Sequence, residues 1–432
     1  MEPLIRFFIN VGKLKGAKRP GWVLRGIKDP ESVADHAFRV LVLAWVFGTQ
    51  TSLNVKKLLK LALVHSLSAV YIEYISPYDK LIEYKDKKDF LKKYPALLLR
   101  APIMKKREIN ALRFEEEKKA IDRLTKALPE AMRHEIRYLW LDFQHKTSKE
   151  AKYLWVLDRL ENLIQALEYK SQLKESLLTP FLQQTQRITT DKKILKFVES
   201  LNQYFTKGRS SVKNRGDRNL INFIIEVGKT KSVLRRGWVI RGVKKPESLA
   251  AHCFRSAIIA WFFSSRRRIN QEAVIITAAI HDLFTTVIGD LTPYDESIVE
   301  TKSREKKVRI IESLPWLGSR AHKELIAKQR LEREAKALNQ ILKYLPLRQR
   351  RDANYFWLAY KTGTSREGRY FRQIDRIEAL LQALEYQSGD KNIPISSFWL
   401  QLKELLDDPI LIEFVQSIDE YYFKKGFGRL TA

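Results

Sequence analysis

His252, the adjacent pair His281-Asp282, and Asp375 are residues whose types could hold a metal ion. Two neutral imidazoles and two carboxylates form a mixed nitrogen and oxygen donor set. Such a set suits a divalent cation such as manganese, cobalt, iron, nickel or zinc. An ion held this way is a Lewis acid that pulls a bound water toward hydroxide, chemistry that suits hydrolysis of a phosphate ester. Asp375 sits within an apolar helical pattern, and burying a lone carboxylate costs on the order of several kcal/mol, so it demands a partner.

These positions are not isolated, because the chain repeats itself. Gly21-Trp22-Val23-Leu24-Arg25-Gly26 returns as Gly237-Trp238-Val239-Ile240-Arg241-Gly242. Pro30-Glu31-Ser32 returns as Pro246-Glu247-Ser248, His36 as His252, His65 as His281, and Pro77-Tyr78-Asp79 as Pro293-Tyr294-Asp295. Further on, Asp158-Arg159 matches Asp375-Arg376, and Gln165-Ala166-Leu167-Glu168-Tyr169 matches Gln382-Ala383-Leu384-Glu385-Tyr386, one residue out of the earlier register. A register this steady over so long a stretch marks a duplication. The repeat places one unit over 1–208, a polar linker over 209–216 and a second unit over 217–432. Residues 1–28 are basic, but they align with 217–244 in mid-chain and therefore belong to a domain rather than to a presequence.

The elements that position these residues read as helices. Leu58, Leu61, Ala62 and His65 fall on one helical face, as do Val274, Thr277, Ala278 and His281, with Asn54 and Asn270 as N-caps. Ser32 to about Phe47 predicts another helix, opened by the capping-box pair Ser32 and Asp35 and carrying His36. Long helices are predicted over about 108–128 and 150–170, and again over about 325–345 and 367–387. Strand alternation never persists, so the expected fold is all-α. The stretches 80–108 and 296–324 are left as lids or extra helices.

In this order the motifs resemble the HD-domain metal-dependent phosphohydrolases, most closely the small 5′-deoxynucleotidases. The Gly-Trp segment comes first, then Pro-Glu-Ser-x-x-x-His-x-x-Arg, His-Asp, Gly-Asp-x-Thr-Pro, and Asp-Arg-x-Glu-x-x-x-Gln-Ala-Leu-Glu-Tyr. The resemblance covers most of both units. It implies an all-α HD fold, one divalent metal ion (manganese, cobalt or similar), and removal of phosphate from deoxynucleoside 5′-monophosphates. By that resemblance His252, His281, Asp282 and Asp375 are the ligands. Trp238, Arg241 and Arg255 would bind substrate, and Asp290 would stand near the sugar or the attacking water. Such domains pair as homodimers, so two fused units imply an internal pseudo-dimer, with further self-association open.

Each unit departs from the family pattern. Unit one has Ser66 where the metal aspartate belongs and Glu73-Tyr74 in place of the Gly-Asp pair. A neutral hydroxyl is a poor ligand for a divalent ion. Its histidines and Asp158 are then expected to form a polar core cluster with Arg39. In unit two, Thr285 stands where the family places a glutamate after His-Asp, and a threonine cannot cycle a proton near neutral pH. Asp290 is the candidate to carry the proton instead, with Arg241 assisting catalysis. Trp22 and Trp238 also fit packing anchors, and Cys253, paired with Ala37, fits a small core residue.

Lys and Arg number 79 against 50 Asp and Glu, a net charge of +29. That field attracts nucleotides and other phosphorylated small molecules, and it keeps RNA or DNA open as partners. The alternative to an enzyme is thus a catalytically impaired HD scaffold that binds a polyanion. The single cysteine excludes an intramolecular disulfide, and no long uncharged apolar run suggests a membrane span, so a reducing, cytoplasmic setting is expected.

Overall fold

The computed structural model describes residues 1–72, 103–265, 267–292, 301, 303–313 and 320–423. Among them all regular structure is helical. Extended pairing is limited to two isolated bridges, Lys18 with Ser32 and Leu234 with Ser248, at matching positions of the repeat. The all-α expectation therefore holds. Glu73-Tyr74, Pro77-Tyr78-Asp79 and Pro293-Tyr294-Asp295 lie outside the described residues, as does most of 80–108. Of the two uncertain stretches, the described parts are helical apart from residues 301 and 303: Ile103 opens the helix Ile103–Thr125, Arg304–Ser313 is a separate helix, and Arg320 opens Arg320–Leu342.

In the first repeat Ser32 opens the helix Val33–Gly48 with the expected capping box, its side chain taking the Asp35 N–H while Asp35 takes the Ser32 N–H. Every residue of that helix is buried, so it is apolar all round and forms the centre of its bundle. It packs against Val55–Val64, capped by Asn54, and against Lys149–Glu168, capped by Ser148. The second repeat builds the same trio from Leu249–Ser264, Gln271–Ile280 and Arg366–Gly389. Here Ser248 still caps, but Ala251 replaces the acidic half of the box. Helices Glu130–His145 and Leu347–Thr362 complete the walls, and the sequence patterns above did not single them out. Both start after a proline, at Pro129 and Pro346.

The compact units differ from the boundaries expected from the repeat. One comprises Lys13–Ile225; the other comprises Glu226–Ala432 together with Met1–Gly12. The helix Glu2–Gly12 therefore belongs by descent with the first repeat and by packing with the second. Its Phe8 ring lies 5.4 Å from Phe262, 6.0 Å from Phe263 and 5.9 Å from Phe414, all within that unit. Residues 209–216 are likewise not a free linker. They hold a short 3-10 turn at Arg209–Ser211, the fully buried Val212 and the start of the helix Arg215–Lys229. A repeat alignment reports ancestry, whereas the apolar face of a leading helix settles wherever a matching groove is offered.

Among the described residues Gln271–Ile288 alone is long and apolar enough to cross a membrane. It is 72% buried in its unit and broken between Ile280 and Thr285, as befits core rather than a span.

Phe8→Ala should lower stability by about 3–5 kcal/mol, because the groove between Phe262, Phe263 and Phe414 cannot collapse onto a methyl group. Urea unfolding followed by tryptophan fluorescence checks this; a loss under about 1 kcal/mol would contradict the packing described.

Candidate metal centre

In the second repeat three helices converge on one buried point. Leu249–Ser264 brings His252, the end of Gln271–Ile280 brings His281 and then Asp282, and Arg366–Gly389 brings Asp375. All four are buried, and ligand atoms of His252, His281 and Asp282 lie within 4.8 Å of one another. His252 Nε2 is 3.1 Å from Asp375 Oδ1, and His281 Nε2 is 3.7 Å from the same oxygen and 3.4 Å from Asp282 Oδ2. The sequence-expected quartet is thus brought together.

The outer faces of these side chains are fixed by hydrogen bonds. His252 Nδ1 meets Glu378 Oε2. His281 Nδ1 donates to the Ala278 carbonyl at 2.9 Å, and the Tyr360 hydroxyl donates to Asp375 Oδ2 at 2.9 Å. Each imidazole is thereby held by its Nδ1 with Nε2 turned inward, the arrangement found around ligating histidines. His281 Nε2 is buried and has no hydrogen-bond partner. An orphaned imidazole nitrogen among carboxylate oxygens fits a divalent cation, and the donor set lacks anything that would conflict with one.

Electrostatics follow from the burial. Desolvation and the nearby Arg235 charge push His252 down, yet Glu378 and Asp375 outweigh them and hold it up to about 9. Burial lowers His281, with Asp282 and Asp375 only partly opposing. For Asp282 burial works upward, but His281, Arg235 and Lys361 bring it to about 2. Asp375 lies well below the usual carboxylate range: against the upward pull of burial stand Arg376 and the two histidines. The site thus pairs ionised carboxylates with one imidazole that carries a proton when no cation is present.

The first repeat has Ser66 where the second has Asp282. His36 Nε2 lies 3.0 Å from Asp158 Oδ1, and its Nδ1 meets Glu161. The Ser66 hydroxyl then closes on His65 Nε2 at 2.7 Å, the nitrogen equivalent to the orphan in the other unit. Arg19 answers the missing aspartate by turning to Glu31 at 2.9 Å, whereas its counterpart Arg235 reaches Asp282 Oδ2 at 2.8 Å. Phe143 stands where Tyr360 stands, so Asp158 lacks the hydroxyl donor. Burial lowers His65 to about 4, a neutral, internally satisfied ring. The expected polar cluster is present, and Arg39 joins it through Glu161.

Other candidates fall elsewhere. Arg255 is fully buried and gives its donors to Glu378, Gln382 and Glu385, so its expected contact with substrate is replaced by a structural one. Trp238 is also corrected from substrate contact to packing: it is buried, donates to Glu247 at 3.0 Å and stacks on Phe398. Arg241 is 3% exposed and binds Pro394 O, Ser397 Oγ and Glu312, which occupies the fork expected to meet a phosphate. Asp290 does reach the site's edge, accepting the Arg236 N–H at 2.7 Å with Oδ1 4.0 Å from Arg235 Nη1. Thr285 is buried and donates to the Asp282 carbonyl, a turn-closing bond. Cys253 is buried, 4.0 Å from His281 Nδ1, on the side away from Nε2.

Glu378, Arg235 and Tyr360 carry roles that the sequence reading did not assign. Glu378 stood inside the quoted Asp-Arg-x-Glu motif, and Arg235 repeats Arg19 just before the Gly-Trp segment, so both left a signal. Tyr360 left none, because its repeat partner is Phe143.

Comparison with known proteins matches the HD domain twice, over residues 11–199 and 227–408. A protein named 5′-deoxynucleotidase HDDC2 from Danio rerio is 32% identical over 204 residues, covering 47% of this chain and 88% of its own. Its namesake in Mus musculus is 31% identical over 201 residues, covering 46% and 86%. Among solved structures, a conserved hypothetical protein from Pyrococcus furiosus shares 27% identity over 46% of this chain and 98% of its own, at a TM-score of 0.34.

Ser66→Asp should give the first unit a fourth donor and raise the manganese bound per chain by about one ion, read by elemental analysis after gel filtration. An unchanged ratio with the chain folded would contradict the account of Ser66. Metal uptake must also displace the His252 proton, so affinity should climb as pH rises toward about 9, with about one proton released per ion. The same raised value stabilises the metal-free fold below about 6.5 and is lost as pH passes about 9. Calorimetry in buffers of different ionisation enthalpy counts the protons.

Proposed function

We propose that this chain, which belongs to the HD domain family, hydrolyses phosphate esters at its second repeat, on (deoxy)nucleoside 5′-monophosphates, while its first repeat is structural. The observation that carries the reading is the contrast at one atom: His281 Nε2 has no hydrogen-bond partner, and His65 Nε2 is closed off by Ser66. His252, His281, Asp282 and Asp375 would hold a single divalent ion, manganese, cobalt or similar. Bound there, such an ion supplies Lewis acidity and an acidified water.

The chain's own residues then divide the remaining work. Glu378 and Tyr360 orient His252 and Asp375. Arg235 lies between Asp282 and Asp290 and is partly exposed, so its planar guanidinium is placed to meet a phosphate oxygen. Asp290, held by the Arg236 N–H, is the carboxylate offered to move a proton in place of the glutamate that Thr285 replaces. Arg241 supports this region from behind by tying Gly237 to Ser397 and Glu312.

Thr285 favours the second reading, an HD scaffold without turnover that uses the +29 charge to bind RNA or DNA. One assay separates the two. Phosphate release from dAMP, dGMP, dCMP, dTMP and UMP with manganese or cobalt should be measurable and should fall at least 100-fold in Asp282→Ala. His36→Ala, if folded, should stay within about twofold of the parent. No phosphate from any substrate by metal-loaded protein would sink the enzyme reading. Asp290→Asn should lower kcat by about 10²–10⁴ if that carboxylate moves the proton; an unchanged kcat would remove it from the mechanism.

A further inference from the structure

The helix Glu2–Gly12 ends against the innermost polar ladder of the second repeat. Arg255, fully buried, donates through Nε to Glu378 Oε1 at 2.8 Å and through Nη1 to Glu385 Oε1 at 2.6 Å. Glu378 uses its other oxygen on His252 Nδ1. Gly12 lies directly over this ladder. A Cβ built there would sit 2.4 Å from Arg255 Nη1 and 3.0 and 3.2 Å from the two Glu385 oxygens. No real Cβ tolerates such a contact, and the guanidinium has no free direction to retreat, being engaged by Glu378, Gln382 and Glu385. Gly16, four residues on, is different: its Cβ would meet only the Lys13 carbonyl at 3.9 Å.

The geometry points to Met1–Gly12 as a positioning element of the metal-binding cluster in the second repeat, acting from Gly12 through Arg255 and Glu378 on the His252 ring. A segment that descends with the repeat lacking the aspartate thus completes the repeat that retains it. The first repeat then matters to the site by supplying the twelve residues that precede Lys13. This rests on the reading of His252, His281, Asp282 and Asp375 as a metal site. Gly12 touches neither substrate nor ion, so its role is positional and its effect must pass through the His252 orientation.

The test uses the full chain carrying Gly12→Ala, with Gly12→Val as the stronger insult and Gly16→Ala as control. Each is titrated with Co²⁺ at a temperature where circular dichroism shows it folded. Losing an outer partner of a ligating histidine typically costs 10- to 100-fold in metal affinity. Gly12→Ala should therefore bind Co²⁺ about 10-fold more weakly and shift the visible d–d bands at saturating cobalt. Gly16→Ala should match the parent in both. A folded Gly12→Ala with parental affinity and spectrum would overturn the proposal even if its Tm had dropped, because a purely structural role predicts that result. If Gly12→Val fails to fold, Gly12→Ala decides. If the parent chain shows no cobalt bands, it is the metal reading that fails. The positioning proposal is then judged in metal-free protein by the His252 ring N–H proton resonance, which Gly12→Ala should shift and Gly16→Ala should not. An unmoved resonance overturns it.

Discussion

A glutamate buried inside a helical core needs a donor for each oxygen, and Glu378 and Glu161 each find them in the same way. Each takes a buried arginine on one oxygen and a histidine Nδ1 on the other. This shared contact decides which way His252 and His36 face, and therefore where Nε2 points. It also explains why the late helix carries its polar residues in a row: Asp375, Glu378, Gln382 and Glu385 recur at helical spacing and present one polar stripe to Leu249–Ser264. Removing either partner would strand a buried charge at a cost of about 3–5 kcal/mol. The ladder therefore persists in both repeats, with Asp282 or with Ser66 at its inner end.

The two repeats diverge at the inner end of that ladder, and the divergence is coordinated. Where Asp282 is present, Arg235 turns to it, Tyr360 donates to Asp375 and His281 Nε2 is left without a hydrogen-bond partner. Where Ser66 replaces it, Arg19 falls back on Glu31, Phe143 replaces the tyrosine and the serine satisfies His65. In the second arrangement both nitrogens of the His65 ring are answered from within the chain. The first leaves a buried imidazole nitrogen without a hydrogen-bond partner beside Asp282 and Asp375, whose charges Arg235, Lys361 and Arg376 offset. Lys361 beside Asp282, with Gln144 at the equivalent place, belongs to the same difference.

The anchors named from the Gly-Trp segment show how a motif can be recognised without its role being legible. Trp238 and Arg241 recur faithfully as Trp22 and Arg25, yet both are spent inside their unit. Trp238 lies on Phe398 as Trp22 lies on Phe181, and the arginines stack over the same two rings. Their repetition reflects a packing requirement shared by both repeats, including the one that lost its aspartate. Arg235, one step earlier, is the residue whose environment changes between repeats, and that change marks it as responsive to the site.

The sequence by itself determined the duplication, the helical class, the capped helices that carry His36 and His252, and the identity of the quartet. These features are local: caps, helical periodicity and residue chemistry are written within a few positions, and a second copy exposes them by alignment. Tertiary structure alone decided the rest. No spacing could tell that Arg255 and Trp238 would be consumed by neighbours more than a hundred positions away. Nor could it tell that Tyr360 would reach Asp375, since its repeat partner is a phenylalanine. The leading helix is the sharpest case. Its sequence aligns it with one repeat, and its phenylalanines and Gly12 place it in the core of the other. Descent is recorded along the chain, but burial depends on which apolar groove is complementary in space, and only the folded molecule chooses between them.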